Sequence, residues 1–93
     1  MINKNIIKIR TKLDKIDDKM LFLIKQRNSL VDKILKEKQF KKDIIDKKRI
    51  NFILNKIKQK SKHKKIDYKI TLKIWKAMIW AFIDYEYRNF KKK

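Results

Sequence analysis

Ninety-three residues, none of them Gly, Pro or Cys, with a formal net charge of +19, bound this chain to one domain, residues 1–93. That length is near the lower limit for a core that sustains itself without a partner. The lack of Cys excludes disulfides and thiolate metal sites and points to a reduced, cytoplasmic compartment, and the single histidine, His63, excludes an imidazole cluster.

The elements follow from apolar residues at helical spacing, which predict an all-α chain of three helices. The first runs from about residue 3 to about residue 38, through the opening MINKNIIKIR, which has no sustained apolar core of the signal-peptide kind. The polar stretch KQFKKD (38–43) breaks the pattern, and Asp43 with Asp46 three residues on predicts an N-terminal capping arrangement. A second helix over about 44–59 uses Ile45, Ile50, Ile53, Leu54 and Ile57. KQKSKHKK (58–65) reads as a charged connector with His63 solvated, and Asp67 as the N-cap of a third helix over about 68–90. The longest uninterrupted apolar run, residues 77–83, is far too short to span a bilayer, so a soluble protein is expected.

At 1.5 Å per residue a first helix of some 35 residues extends about 50 Å. A compact monomer of this size has a radius of gyration of about 12 Å, so that helix would carry its apolar stripe into water. Burying the stripe requires another chain, and an intertwined homodimer is the expectation from length and pattern.

The basic residues divide into a diffuse majority and a few that are out of place. The 25 lysines are spread along the whole chain and replace arginine almost everywhere, which favours a compositional bias over a designed nucleic-acid surface. Positions 6, 13, 20, 27 and 34, however, hold Ile6, Leu13, Met20, Arg27 and Ile34, so Arg27 interrupts an apolar seam. The neighbouring row runs Arg10, Asp17, Ile24, Val31 and Lys38. Arg49 shares a face with Ile53, and the third-helix row Leu72, Trp75, Ile79, Phe82 ends in Glu86. These charges are predicted to point inward, where an unpaired charge is costly. Singly, each could be a snorkelling side chain or an interhelical ion pair. As a set they hold three of the four arginines in a chain with only ten acids. That excess of inward cations implies an anionic ligand, and the arginine fork suits carboxylates. Arg10 and Arg27 lie about 25 Å apart along one helix, too far to grip one small molecule, whereas Arg27 and Lys38, about 16 Å apart, can converge. Arg10 can join them only from a second subunit.

The order of these residues resembles the all-helical class of chorismate mutases over nearly the whole chain. IRTKLDKIDDKMLFLIKQR (9–27) resembles that family's first-helix pattern, and Lys38 follows Arg27 by eleven residues as the family's catalytic lysine does. DKKR (46–49) resembles the start of its second helix and IWKAMIWAFIDYE (74–86) its third-helix signature, which closes on Gln or Glu. The resemblance implies that Arg10 of one subunit and Arg27 of the other hold the two carboxylates of chorismate. It implies that Lys38 and Glu86 hydrogen-bond the ether oxygen and that Asp46 and Arg49 complete the pocket. The implied reaction is the Claisen rearrangement of chorismate to prephenate in aromatic amino-acid biosynthesis, with no metal and no cofactor.

Two positions depart from the family pattern: Ile50 stands where Glu usually binds the substrate hydroxyl, and Phe82 where a small hydroxyl residue is usual. Both are similar to the related isochorismate–pyruvate lyases, while Glu86 matches the mutases. Three classes therefore stay open at this point, with mutase ahead of lyase and of a non-enzymatic basic helical dimer that binds nucleic acid.

Overall fold

A computed structural model describes residues 3–91. It contains three α-helices, α1 (Lys4–Glu37), α2 (Lys47–His63) and α3 (Tyr68–Asn89), with a single 3-10 turn, Lys41–Ile44, between the first two. No strand occurs among the described residues, in agreement with the all-α expectation. No helix among them is long and apolar enough to cross a membrane. The chain divides into two compact units, Met1–Val31 and Asp32–Lys93.

The first unit is helical from Lys4 onward. Asn3 starts α1 as expected, its Oδ1 accepting from the Ile6 amide at 2.9 Å, which satisfies one of the amides a helix leaves open at its first turn. None of its described residues is buried. The seam residues Ile6, Leu13 and Met20 are 39%, 52% and 44% exposed, and Leu21, Phe22 and Leu23 more so.

The second unit has a core of Leu35, Ile44, Ile79 and Ile83, ringed by the partly buried Ile45, Ile50, Ile53, Leu54 and Phe90. Its α2 starts at Lys47, three residues later than the pattern suggested. Asp43 and Asp46 both have cap chemistry, but they cap different things. Asp43 closes the 3-10 turn, its Oδ2 accepting from the Phe40 amide at 3.2 Å while its own amide donates to the Phe40 carbonyl at 3.0 Å. Asp46 is the N-cap of α2, accepting from the Arg49 amide at 3.0 Å. The turn buries Ile44 to 3% exposure, which a helix beginning there would not need to do.

The far end of α2 also differs from expectation. Residues 58–63 are helical, not a connector, because Ser61 faces inward and is buried. Its hydroxyl donates to the Ile57 carbonyl at 2.7 Å and lies 2.7 Å from the Thr71 hydroxyl of α3. His63 is exposed in the last turn, as expected. The helix ends in a Schellman turn: the Ile66 amide donates to the Ser61 carbonyl at 2.8 Å and the Lys65 amide to the Lys62 carbonyl at 3.1 Å. That turn requires a left-handed residue, ordinarily glycine, and in a chain without glycine Lys65 takes it at φ 60°. Asp67 then caps α3 through the Lys69 amide at 2.9 Å.

Candidate active site

Among the described residues of the second unit one carboxylate is buried, Glu86, at 6% exposure. It belongs to the stripe Ile79, Ile83, Glu86 that α3 turns toward the core, the spacing that keeps side chains on one helix face. Its partner is Lys38. This residue lies one position beyond the last residue of α1, with its amide donating to the Leu35 carbonyl at 3.2 Å. The ammonium Nζ donates to Glu86 Oε1 at 2.9 Å and to the Ile44 carbonyl at 3.5 Å. The side chains of the pair are 19% and 8% exposed respectively. A contact this short at a half-buried position is a charge-assisted bond, stronger than a surface pair. Removing either partner would leave the other charge poorly solvated. What the arrangement presents is a fixed cation beside an apolar wall, with the Lys38 side chain still partly exposed.

The start of α2 supplies three more of the residues singled out in the sequence. Asp46 is committed to the helix cap, with its side chain exposed. Arg49 is exposed, and its guanidinium lies 5.3 Å from the centre of the Phe52 ring. Within this chain it therefore does not point inward, contrary to the expectation drawn from its sharing a face with Ile53. The nearby exposed ring gives its planar head a stacking partner that periodicity alone does not reveal. Ile50 is half-buried against the core. On α3, Phe82 is half-buried and meets the Tyr85 ring edge-on, centroids 6.4 Å apart at 81°.

Arg10 and Arg27 belong to the first unit. Arg10 is exposed, a second departure from the inward placement expected of it, and Arg27 is half-buried. The structure thus brings Lys38 and Glu86 into direct contact and places Asp46, Arg49 and Ile50 together on the first turn of α2.

Besides the Ser61–Thr71 contact, sequence reasoning missed a polar contact between α1 and α3. The Tyr85 hydroxyl donates to Asp32 Oδ1 at 2.7 Å, joining residues 53 positions apart. A tyrosine on a mostly apolar helix face, whose hydroxyl needs a partner, was the available signal. A cleft of about 300 Å³ lies between the ends of the same helices, lined by Asp32, Leu35, Lys36, Asn89, Phe90 and Lys91. Its lining includes neither Lys38 nor Glu86.

Comparison with known proteins adds two findings. The family model described as Chorismate mutase type II matches residues 9–87. A chorismate mutase of Methanocaldococcus jannaschii is 38% identical over 80 residues, covering 85% of this chain and 80% of that protein. No solved structure matches at a significant level.

Proposed function

The chain belongs to the chorismate mutase type II family, and we propose that it converts chorismate to prephenate in sites that two copies of the chain build together. The contact that carries this reading is the Lys38–Glu86 pair at 2.9 Å. In the rearrangement the ether C–O bond breaks as a C–C bond forms within one molecule, and negative charge gathers on the ether oxygen. No atom is exchanged with the protein. The useful contributions are a folded substrate conformer and positive charge fixed in advance at that oxygen. Lys38 supplies the charge, held by Glu86 and the Ile44 carbonyl so that it need not reorganise during the reaction.

The remaining roles follow the residue order. Arg27 and Arg10 clamp the two substrate carboxylates, where a bidentate guanidinium gives both energy and orientation. Asp46 holds the first turn of α2, with Arg49 on it, at the edge of the pocket, while Ile50 and Phe82 act as apolar walls that favour the folded conformer. Glu86 takes a second role at the ether oxygen when it carries a proton, since only the protonated carboxyl can donate.

The dimer is supported by the first unit. Its seam residues Ile6, Leu13 and Met20 are 39–52% exposed, apolar positions repeated at heptad spacing of the kind that a partner helix covers. Among the described residues the core of the second unit has four buried apolar side chains, few for a domain of this length to stand alone. In our reading the 93 residues form one domain completed by its copy, in a cytoplasmic protein without cysteine.

Separate incubation of the purified protein with chorismate and with isochorismate tests this function. Prephenate from chorismate is expected. Salicylate and pyruvate from isochorismate, with no prephenate from chorismate, would assign the chain to the lyases instead.

A further inference from the structure

We infer that Asp32 and Tyr85 are positioning residues that set the angle of the end of α1 and so aim the Lys38 ammonium; the inference rests on the mutase reading above. Asp32, Leu35 and Lys38 are spaced three apart and form one stripe along the end of α1. Each member of the stripe meets the core or α3 differently. Leu35 is buried in the core shared with Ile79 and Ile83. Asp32 accepts from the Tyr85 hydroxyl at 2.7 Å, and Lys38 donates to Glu86 at 2.9 Å. The two polar links thus flank an apolar one, and on α3 they are made by adjacent residues.

The arrangement answers a mechanical need. Lys38 stands outside the regular helix, anchored by one backbone bond to Leu35. Leu35 alone would let the helix end roll, because apolar contacts are non-directional. With an ammonium some 8 Å from the helix axis, a roll of about 10° shifts it by more than ~1 Å, enough to cost up to about a hundredfold in rate. The Asp32–Tyr85 bond is half-buried at both ends and joins a hydroxyl to a carboxylate, one of the stronger and more directional pairs. The Tyr85 ring is itself held. Phe82 meets it edge-on, and the Arg88 guanidinium lies 5.9 Å from its centre while bonded to Asp84 at 3.0 Å.

Three variants test this in the full-length protein. Tyr85→Phe deletes the hydroxyl and keeps the ring, Asp32→Ala deletes the acceptor, and Asp32→Asn keeps an acceptor. Tyr85→Phe and Asp32→Ala are expected to lower kcat about tenfold with KM within about twofold, and Asp32→Asn to retain near-normal kcat. If the two residues act through Lys38, Tyr85→Phe should cost little further in a Lys38→Ala background. The same tenfold loss in both backgrounds, or an unchanged kcat in Tyr85→Phe, would overturn the inference and leave the mutase function standing. A wild-type protein without mutase activity would overturn the function. The positioning claim would then be read from the Lys38 side-chain ammonium signal in nitrogen-15 NMR, assigned by its disappearance in Lys38→Met. Broadening or shift of that signal in Tyr85→Phe supports positioning, and an unmoved signal contradicts it. A variant that melts far below wild type is replaced by Asp32→Asn. Its Lys38 signal is expected at the wild-type position, and a displaced one would count against the inference.

Discussion

The two units of this chain share a composition and differ in what they do with it. From Asp32 onward the apolar residues find one another, and the two charges on that face, Lys38 and Glu86, find one another too. Up to Val31 the apolar seam stays exposed, and its rows carry two arginines, Arg10 exposed and Arg27 half-buried. A helix can form on propensity and still lack a place to bury its stripe; tertiary or quaternary packing supplies most of its stability. In the proposed dimer the first unit carries the need for a partner, and the second carries the Lys38–Glu86 pair.

The sharpest way to separate the two is to disable the second alone. Lys38→Ala should reduce kcat by about 10²–10³-fold, the loss typical of one donor removed from a developing oxyanion. The variant should remain dimeric by sedimentation, and KM should change far less than kcat. A loss confined to KM would mean that Lys38 only binds substrate.

Disabling the first unit should look different. Met20→Asp places a charge in the seam and should convert the dimer to monomer at micromolar concentration. Activity should fall with it by about tenfold or more, since a charge buried without a partner costs several kcal/mol. Undiminished turnover in a proven monomer would remove the link between seam and site.

Glu86 offers a subtler probe, because its two roles require different protonation states. Paired with Lys38 it accepts; at the ether oxygen it must donate. Glu86→Gln keeps both an acceptor and a donor and should hold kcat within about tenfold of wild type, whereas Glu86→Ala keeps neither and should lose about 10²-fold. Equal kcat in the two variants would take Glu86 out of both roles.

The smallest effect lies far from the site. Lys65 sits at φ 60° in the turn after α2, a region that costs a residue with a Cβ about 1–2 kcal/mol. Lys65→Gly relieves this and loses part of the gain to backbone entropy, for a net stabilisation of roughly 0.5 kcal/mol. A rise in Tm with unchanged kcat would place that turn outside the catalytic unit.

Much of this was legible in the sequence, for reasons that differ by element. The start of α1 at Asn3 and of α3 at Asp67 could be read because cap residues act within three positions of themselves. Lys38 and Glu86 were each legible as inward charges, but their bond to each other was not, because the excess of inward cations pointed to an anionic ligand. The start of α2 was ambiguous, since Asp43 and Asp46 have the same chemistry and only the burial of Ile44 decides between them. The end of α2 was hidden by lysines, whose charges say nothing about the face that Ser61 turns inward. The Asp32–Tyr85 bond was not legible at all, because nothing local relates residues 53 positions apart. Arg10 and Arg49 show the opposite error. Their rows marked them as inward, yet both are exposed within the single chain; in the proposed dimer Arg10 finds its site on the second copy.

That last point can be measured directly with mixed dimers. Arg10→Ala and Arg27→Ala should each abolish most turnover as homodimers, because each leaves a substrate carboxylate unpaired. If Arg10 reaches the site from one chain and Arg27 from the other, a heterodimer of the two variants contains one site with both arginines and one with neither. Recovery to about half of wild-type activity per heterodimer is expected. Isolated heterodimers with no recovered activity would show that both arginines act within one chain, and would contradict the shared site.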